Sequence, residues 1–192
     1  MRIVLTGPPG AGKGTQAQLL SQTLGLPRIS TNDLFRHHIS EGTELGMRAK
    51  SYIDAGELVP GDVTIDMVHN RLIEEDTRSG FILDGFPRTV QQAIALDEIL
   101  NEQLNQLWAV LDFEIAEEEA LIRMLSRGRV DDTPDVVRHR SRLYNLEKQA
   151  LRDYYAPILV TVRAEGKVEE VRARTVHALS EQIPLLQYSE LG

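Results

Sequence analysis

Residues Arg2 to Thr15 read RIVLTGPPGAGKGT, and the order of features in this stretch decides the fold. An apolar run, Ile3-Val4-Leu5, gives way to a loop holding Gly7, Gly10, Gly12 and Gly14 with two prolines; the loop then enters Gln16 to Leu24, a segment that fits a helix. Strand, glycine-rich turn and helix in that order is the setting in which G-x-x-x-x-G-K forms a phosphate-binding loop. The glycines let successive N–H groups point inward at phosphate oxygens. The helix N-terminus adds a partial positive charge and Lys13 a full one. The residue after Lys13 is Gly14, and the hydroxyl comes one place later at Thr15. The stretch predicts a nucleoside triphosphate ligand.

Composition agrees with one compact α/β domain over 1–192. Hydrophobic residues make up 42% of the chain and charged residues 26%, ordinary globular usage. No apolar run approaches the ~18 residues of a membrane span, and the segment before the loop is too short for a secretory signal. There is no cysteine, hence no disulfide framework and no thiolate zinc site. A cytoplasmic protein without a membrane partner is expected.

Working outward, apolar runs and helical segments alternate. Strands are expected at 2–6, near 28–30, and at 81–84, 107–112 and 158–163. Helices are expected at 13–24, 31–40, 44–54, 61–75, 90–101, 116–126, 134–153 and 168–182. Thr31 and Asp33 sit where a helix cap is wanted, Gly56 and Gly80 where helices stop, and Thr133 precedes a Pro134 suited to a first turn. Five strands separated by helices predict a doubly wound parallel five-stranded sheet. Its ligands belong beyond the carboxyl ends of the strands. The region 30–75 departs from the alternation, with three helices and no strand, and 127–133, RGRVDDT, is a second irregular piece. Both are natural covers for a site that must exclude water.

The formal net charge of −8 argues against nucleic acid as a partner. Positive charge is instead local: Arg123, Arg127, Arg129, Arg138, Arg140 and Arg142 fall within twenty positions. Alone, such a cluster reads as a solvated helix face; beside a phosphate loop it reads as anion-binding. At 81–92 the chain runs FILDGFPRTVQQ. Asp84 closes a buried-strand run, where an acidic group commonly holds Mg²⁺ through water; it could equally cap the turn into Gly85. Arg88 follows on the loop into the next helix. Histidines 37, 38, 69, 139 and 177 form no metal-ligand pattern.

GPPGAGKGTQAQLL from Gly7, ISTND with Arg36, LDGFPRT with Gln92, and RGRVDD followed by Arg140 together resemble the adenylate kinase family in its short-lid form. The match covers most of the chain in order, and LDGFPRT is highly specific to nucleoside monophosphate kinases. The resemblance implies reversible transfer from Mg·ATP to AMP, giving two ADP, by a monomer with an AMP-binding insert at 30–59 and a very short lid at 127–133. ATP would meet Gly10, Ala11, Gly12, Lys13, Gly14, Thr15, Arg123, Arg127 and the backbone at Gly166. AMP would meet Thr31, Arg36, Glu57, Leu58, Val59, Gly85, Arg88, Gln92, Arg129 and Arg140. Lys13, Arg88, Arg127, Arg129 and Arg140 would act on the transferred group, with Asp131 and Asp132 orienting the lid arginines and Asp84 serving Mg²⁺. No zinc is expected, because neither a long lid nor its metal ligands are present.

The chemistry is consistent with that allocation. A phosphomonoester has a second pKa near 6, so the AMP oxygen is ionised at neutral pH and needs no general base. Positioning and electrostatic stabilisation by Arg, Lys and Mg²⁺ suffice. Thr31 and Gln92 favour adenine over a pyrimidine, the amide of Gln92 being able to donate and accept at once; without DGFPRT before it, Gln92 would read as an exposed helical residue. Asn32 stands where the family usually has Gly, Glu57 where Lys is frequent, and Ala150 where Pro is common. A UMP- or CMP-type kinase and a catalytically silent nucleotide sensor on the same core are the alternative readings.

Overall fold

The computed structural model describes residues 1–54, 59–127 and 134–183, with the backbone alone at 54 and 127. Five strands, β1 (Arg2–Thr6), β2 (Arg28–Ser30), β3 (Phe81–Asp84), β4 (Ala109–Glu114) and β5 (Leu159–Arg163), form one sheet. The order is β2-β3-β1-β4-β5, and every pair is parallel. The helices are α1 (Lys13–Leu24), α2 (Thr31–Ser40), α3 (Glu44–Asp54), α4 (Gly61–Leu72), α5 (Val90–Glu102), α6 (Glu117–Arg127), α7 (Pro134–Tyr154) and α8 (Val168–Gln182). The chain winds to one side of β1 through β2 and β3, then crosses to the other through β4 and β5. The switch of direction opens a crevice at the carboxyl end of β1, and residues 7–12 occupy it.

Side-chain alternation divides the core into two layers. Ile3 and Leu5 point to one face, where Ile82, Leu111 and Phe113 join Ala17 and Leu20 of α1 and Val171 and Leu179 of α8. Val4 points to the other, with Phe81, Leu83 and Val110 against Val68 of α4, Leu96 of α5 and Leu151 of α7. A third, small cluster of Ala49, Val63 and Met67, backed by Phe35, Leu45 and Val59, binds α2, α3 and α4 together. The helical excursion thus carries a core of its own.

Three boundaries differ from the sequence expectation. The cap of α2 is Ser30, whose hydroxyl accepts the Asp33 N–H at 3.3 Å; neither Thr31 nor Asp33 is the cap. The helix expected over 61–75 ends at Leu72 and continues as a 3₁₀ turn, Glu75–Thr77. Thr77 Oγ1 donates to the carbonyls of Leu72 (2.9 Å) and Glu74 (2.7 Å), supplying the partner an α-helical end would lack. Strand β4 lies two residues beyond the expected 107–112, because its pairing with β5 runs to Glu114↔Arg163. The expected stop at Gly56 and the expected helix entry at Thr133 lie outside the described residues.

The polar end of β4 is tolerated because its charges are matched. Arg152 of α7 donates to Asp112 Oδ2 at 2.8 Å and to Glu114 Oε1 at 2.5 Å, while Thr6 Oγ1 donates to Asp112 Oδ1 at 3.0 Å. The Asp112 side chain is 2% exposed. Removing Arg152 strands a buried carboxylate, whereas the Arg48–Asp62 pair is exposed on both sides and contributes little. In urea unfolding, Arg152→Ala is expected to cost about 3 kcal/mol and Arg48→Ala under ~1 kcal/mol. Equal losses would show that Asp112 is not held as described.

Candidate active site

The loop after β1 is pressed against the start of the second half of the sheet. Gly7 (φ 134°) lies so near β4 that a Cβ there would be 2.6 Å from the Phe113 carbonyl oxygen. At Gly10 (φ 86°) a Cβ would overlap the Ala120 carbonyl of α6. Left-handed backbone and the lack of space both demand glycine at these two positions. Gly12 adopts the left-handed conformation as the N-cap of α1, so that the first-turn N–H groups of α1 open toward the loop. Lys13 Nζ reaches back across it, donating to the carbonyls of Gly7 (2.7 Å) and Pro8 (2.8 Å). Ala11 is buried and Thr15 exposed.

The departure at Gly14 has a steric reason. A Cβ there would lie 3.2 Å from Asp84 Oδ2 and 3.5 Å from Arg28 Nη2. Asp84, at the carboxyl end of β3, therefore sits directly on the first turn of α1. Its carboxylate accepts from Arg28 Nη2 at 3.0 Å, and Arg28 Nη1 donates to Asp33 Oδ2 at 3.0 Å. Asp33 Oδ1 in turn pairs with Arg36 at 3.4 Å. Asp84, Arg28, Asp33 and Arg36 form a chain of alternating charge from the phosphate loop onto α2. Arg28 and Asp33 were not among the residues the sequence singled out for binding. Their only signal is the position of Arg28–Ser30 as the neighbour of β3 in a parallel sheet.

A second group gathers around Gly85. Its carbonyl accepts from Thr31 Oγ1 (3.2 Å) and Arg88 Nε (2.8 Å). Gln92 is buried, not exposed on its helix. Its Oε1 accepts the Arg88 backbone N–H at 2.8 Å, while its own N–H donates to Thr89 Oγ1 at 3.2 Å. One lone pair of the amide oxygen is thus spent on shaping the loop, and the NH₂ faces Gly61, where a Cβ would be 3.9 Å from Nε2. Arg88 opens to solvent yet lies deep among its neighbours; desolvation, followed by the charge of Arg140 on α7, disfavours its cation, and Asp84 opposes them. Starting from so high a value it stays charged at neutral pH.

On the far side of the loop, Arg123 of α6 is locked onto the 164–166 segment. It donates from Nη1 to the Ala164 carbonyl (3.0 Å), from Nη2 to the Gly166 carbonyl (3.3 Å), and pairs with Glu119. The structure therefore brings together Lys13, Gly14 and Asp84 on one side, Thr31, Gly85, Arg88, Gln92 and Arg140 on another, and Arg123 with Gly166 on a third. Arg36 is 65% exposed and pairs with Asp33; Val59 belongs to the small core around α3. Glu57, Leu58, Arg129, Asp131, Asp132 and the side chain of Arg127 lie outside the described residues. No group of three His, Asp or Glu among the described residues is placed to hold a metal, and no helix among them is long and apolar enough to cross a membrane.

The comparisons with known proteins agree with this geometry. The family model for adenylate kinase matches residues 5–159. The chain is 58% identical to an adenylate kinase of Mycolicibacterium vanbaalenii over 179 residues, 93% of this chain and 99% of the relative. It is 55% identical to one of Corynebacterium aurimucosum over the same coverage, and 51% identical to one of Mycolicibacterium smegmatis over 181 residues, 94% of this chain and all of the relative. A phosphate loop and its facing carboxylate thus occur in a sequence that the family model matches over residues 5–159 and that its relatives match over 93–94% of its length: the chain belongs to the adenylate kinase family.

Proposed function

We propose a division of labour among these residues for the family's reaction, reversible phosphoryl transfer from Mg·ATP to AMP giving two ADP. The chain is an ATP:AMP phosphotransferase. The observation that carries the allocation is Arg88, held on the Gly85 carbonyl at the end of the Asp84 strand, where the positive charge of Arg140 also bears on it. A phosphate is an anion that two planar guanidinium forks can grip together.

In this reading Gly10 to Thr15 cradle the ATP phosphates, with Lys13 exchanging the Gly7 and Pro8 carbonyls for phosphate oxygens. Arg123 and the Gly166 backbone flank the ATP base. Arg36 and Arg88 hold the AMP phosphate, and Thr31, Val59, Gly85 and Gln92 line the AMP pocket with Glu57 and Leu58. Arg127, Arg129 and Arg140 close onto the transferred group, the 127–133 segment acting as lid and 30–59 as the AMP-binding insert. Asp84 and Asp33 suit a hexahydrated-type cation: Mg²⁺ keeps several waters and needs only one or two carboxylates, and a guanidinium already sits between these two. The chemistry such an ion would supply there is neutralisation of charge on the phosphates. The ionised AMP oxygen attacks without a base; the chain's residues orient the two nucleotides, exclude water and spread charge. The same reading takes the protein as a cytoplasmic monomer acting on ATP, AMP and ADP, and a net charge of −8 suits these small partners better than nucleic acid.

Coupled turnover of Mg·ATP against AMP, UMP, CMP and GMP tests the acceptor. Rapid ADP formation with AMP alone is expected; faster turnover with a pyrimidine nucleotide would overturn the role given to Thr31 and Gln92. Arg129→Ala is expected to lower kcat on the order of 10²-fold while ATP affinity falls far less. Comparable fractional losses in both would remove Arg129 from the transferred group.

A further inference from the structure

Arg28 stands where a positive charge has a task. Its guanidinium bridges Asp33 and Asp84, each at 3.0 Å, and lies against Gly14 in the first turn of α1. The Asp84 side chain is 12% exposed and that of Arg28 23%, so the pair is shielded from water more than an ordinary surface pair. Arg28 Nε is buried and has no partner among the described residues. An arginine placed for structural stability would be expected to satisfy that donor. The fork instead spends both ends on Asp84, beside the first turn of α1, and on Asp33 of α2.

We propose that Arg28 is a positioning residue that serves as the resident cation of the Asp33–Asp84 pair, and that the magnesium of Mg·ATP must take these carboxylates from it. Without nucleotide, bare carboxylates beside the loop would repel one another and the incoming triphosphate. Arg28 cancels that repulsion, so metal-free ATP binds better than it would to a chain with a neutral residue at 28. For Mg·ATP the balance reverses, because the hydrated metal needs the same carboxylate oxygens and Arg28 has to yield them. The effect of Arg28 is therefore on the ratio of the two affinities.

The inference rests on Asp84 being a metal-side carboxylate, and one experiment separates the two. Calorimetric titration, with no AMP present, gives the affinity for ATP in EDTA and for ATP in saturating Mg²⁺, for the unaltered protein, Arg28→Gln and Arg28→Lys. In Arg28→Gln the preference for Mg·ATP over metal-free ATP should rise roughly five- to tenfold, chiefly through weaker metal-free binding. Arg28→Lys, which keeps the charge but cannot fork across two carboxylates, should move the ratio the same way by less, and it carries the test if the Gln variant does not fold. A preference unchanged in either folded variant overturns the inference. So does an equal loss of both affinities, which would make Arg28 a plain phosphate ligand. If Asp84→Asn leaves the ratio of the two affinities as it is in the unaltered protein, the metal-side reading of Asp84 itself fails, and the inference with it.

Discussion

Phosphate recognition in this chain depends on how closely a loop can be driven against the sheet. Gly7 and Gly10 leave no space for a Cβ beside the carbonyls of Phe113 and Ala120, so the loop between β1 and α1 is held between β4 and α6. That clamp turns the backbone N–H groups inward and aims the start of α1 at whatever enters the crevice. The rest of the site is arranged around it. The strand order puts β3 and β4 on either side of β1, which delivers Asp84 to one flank of the loop and α6 with Arg123 to the other. The Asp112–Arg152–Glu114 cluster then neutralises the polar end of β4, the strand against which the loop leans.

A second constraint is charge. The chain is acidic overall, yet its site must collect two polyanions. The arginines around the loop rest on partners that can be exchanged: Arg36 on an exposed aspartate, Arg88 on a backbone carbonyl, Arg28 on two carboxylates. Each contact holds a side chain in place at modest cost to later rearrangement. Gln92 is the contrasting case. Buried, with its oxygen committed to the Arg88 N–H, it fixes the loop that presents Arg88. The amide oxygen has a second lone pair besides the one spent there.

Much of this was legible because the elements carry local signals. The strand–loop–helix order at Arg2–Thr15 and the alternation of apolar runs point to the sheet and to its parallel sense. Most helix limits agree because caps and glycines mark them. What escaped depends on contacts between distant segments. Nothing around residue 14 announces that a Cβ would come within 3.2 Å of Asp84, seventy positions on, so Gly14 read as a departure when it fits the close packing there. Arg28 read as an anonymous residue in a short strand because both of its partners are set by tertiary placement. Ser30 was passed over for Thr31 as a cap by a one-residue shift that only the backbone conformation decides. Strand β4 runs past the expected limit of 112 because Phe113 and Glu114 pair with Val162 and Arg163 of β5, with the Glu114 carboxylate matched by Arg152.

The central claim is that the clamp on the loop, more than any single side chain, makes the phosphate site. Calorimetric binding of ATP and of AMP to Gly10→Ala tests it directly, with circular dichroism as the check on folding. The added methyl meets the Ala120 carbonyl at a left-handed residue, so a folded variant should lose ATP affinity by more than about tenfold while AMP binding stays near that of the unaltered protein. Unchanged ATP affinity in the folded variant would contradict the account.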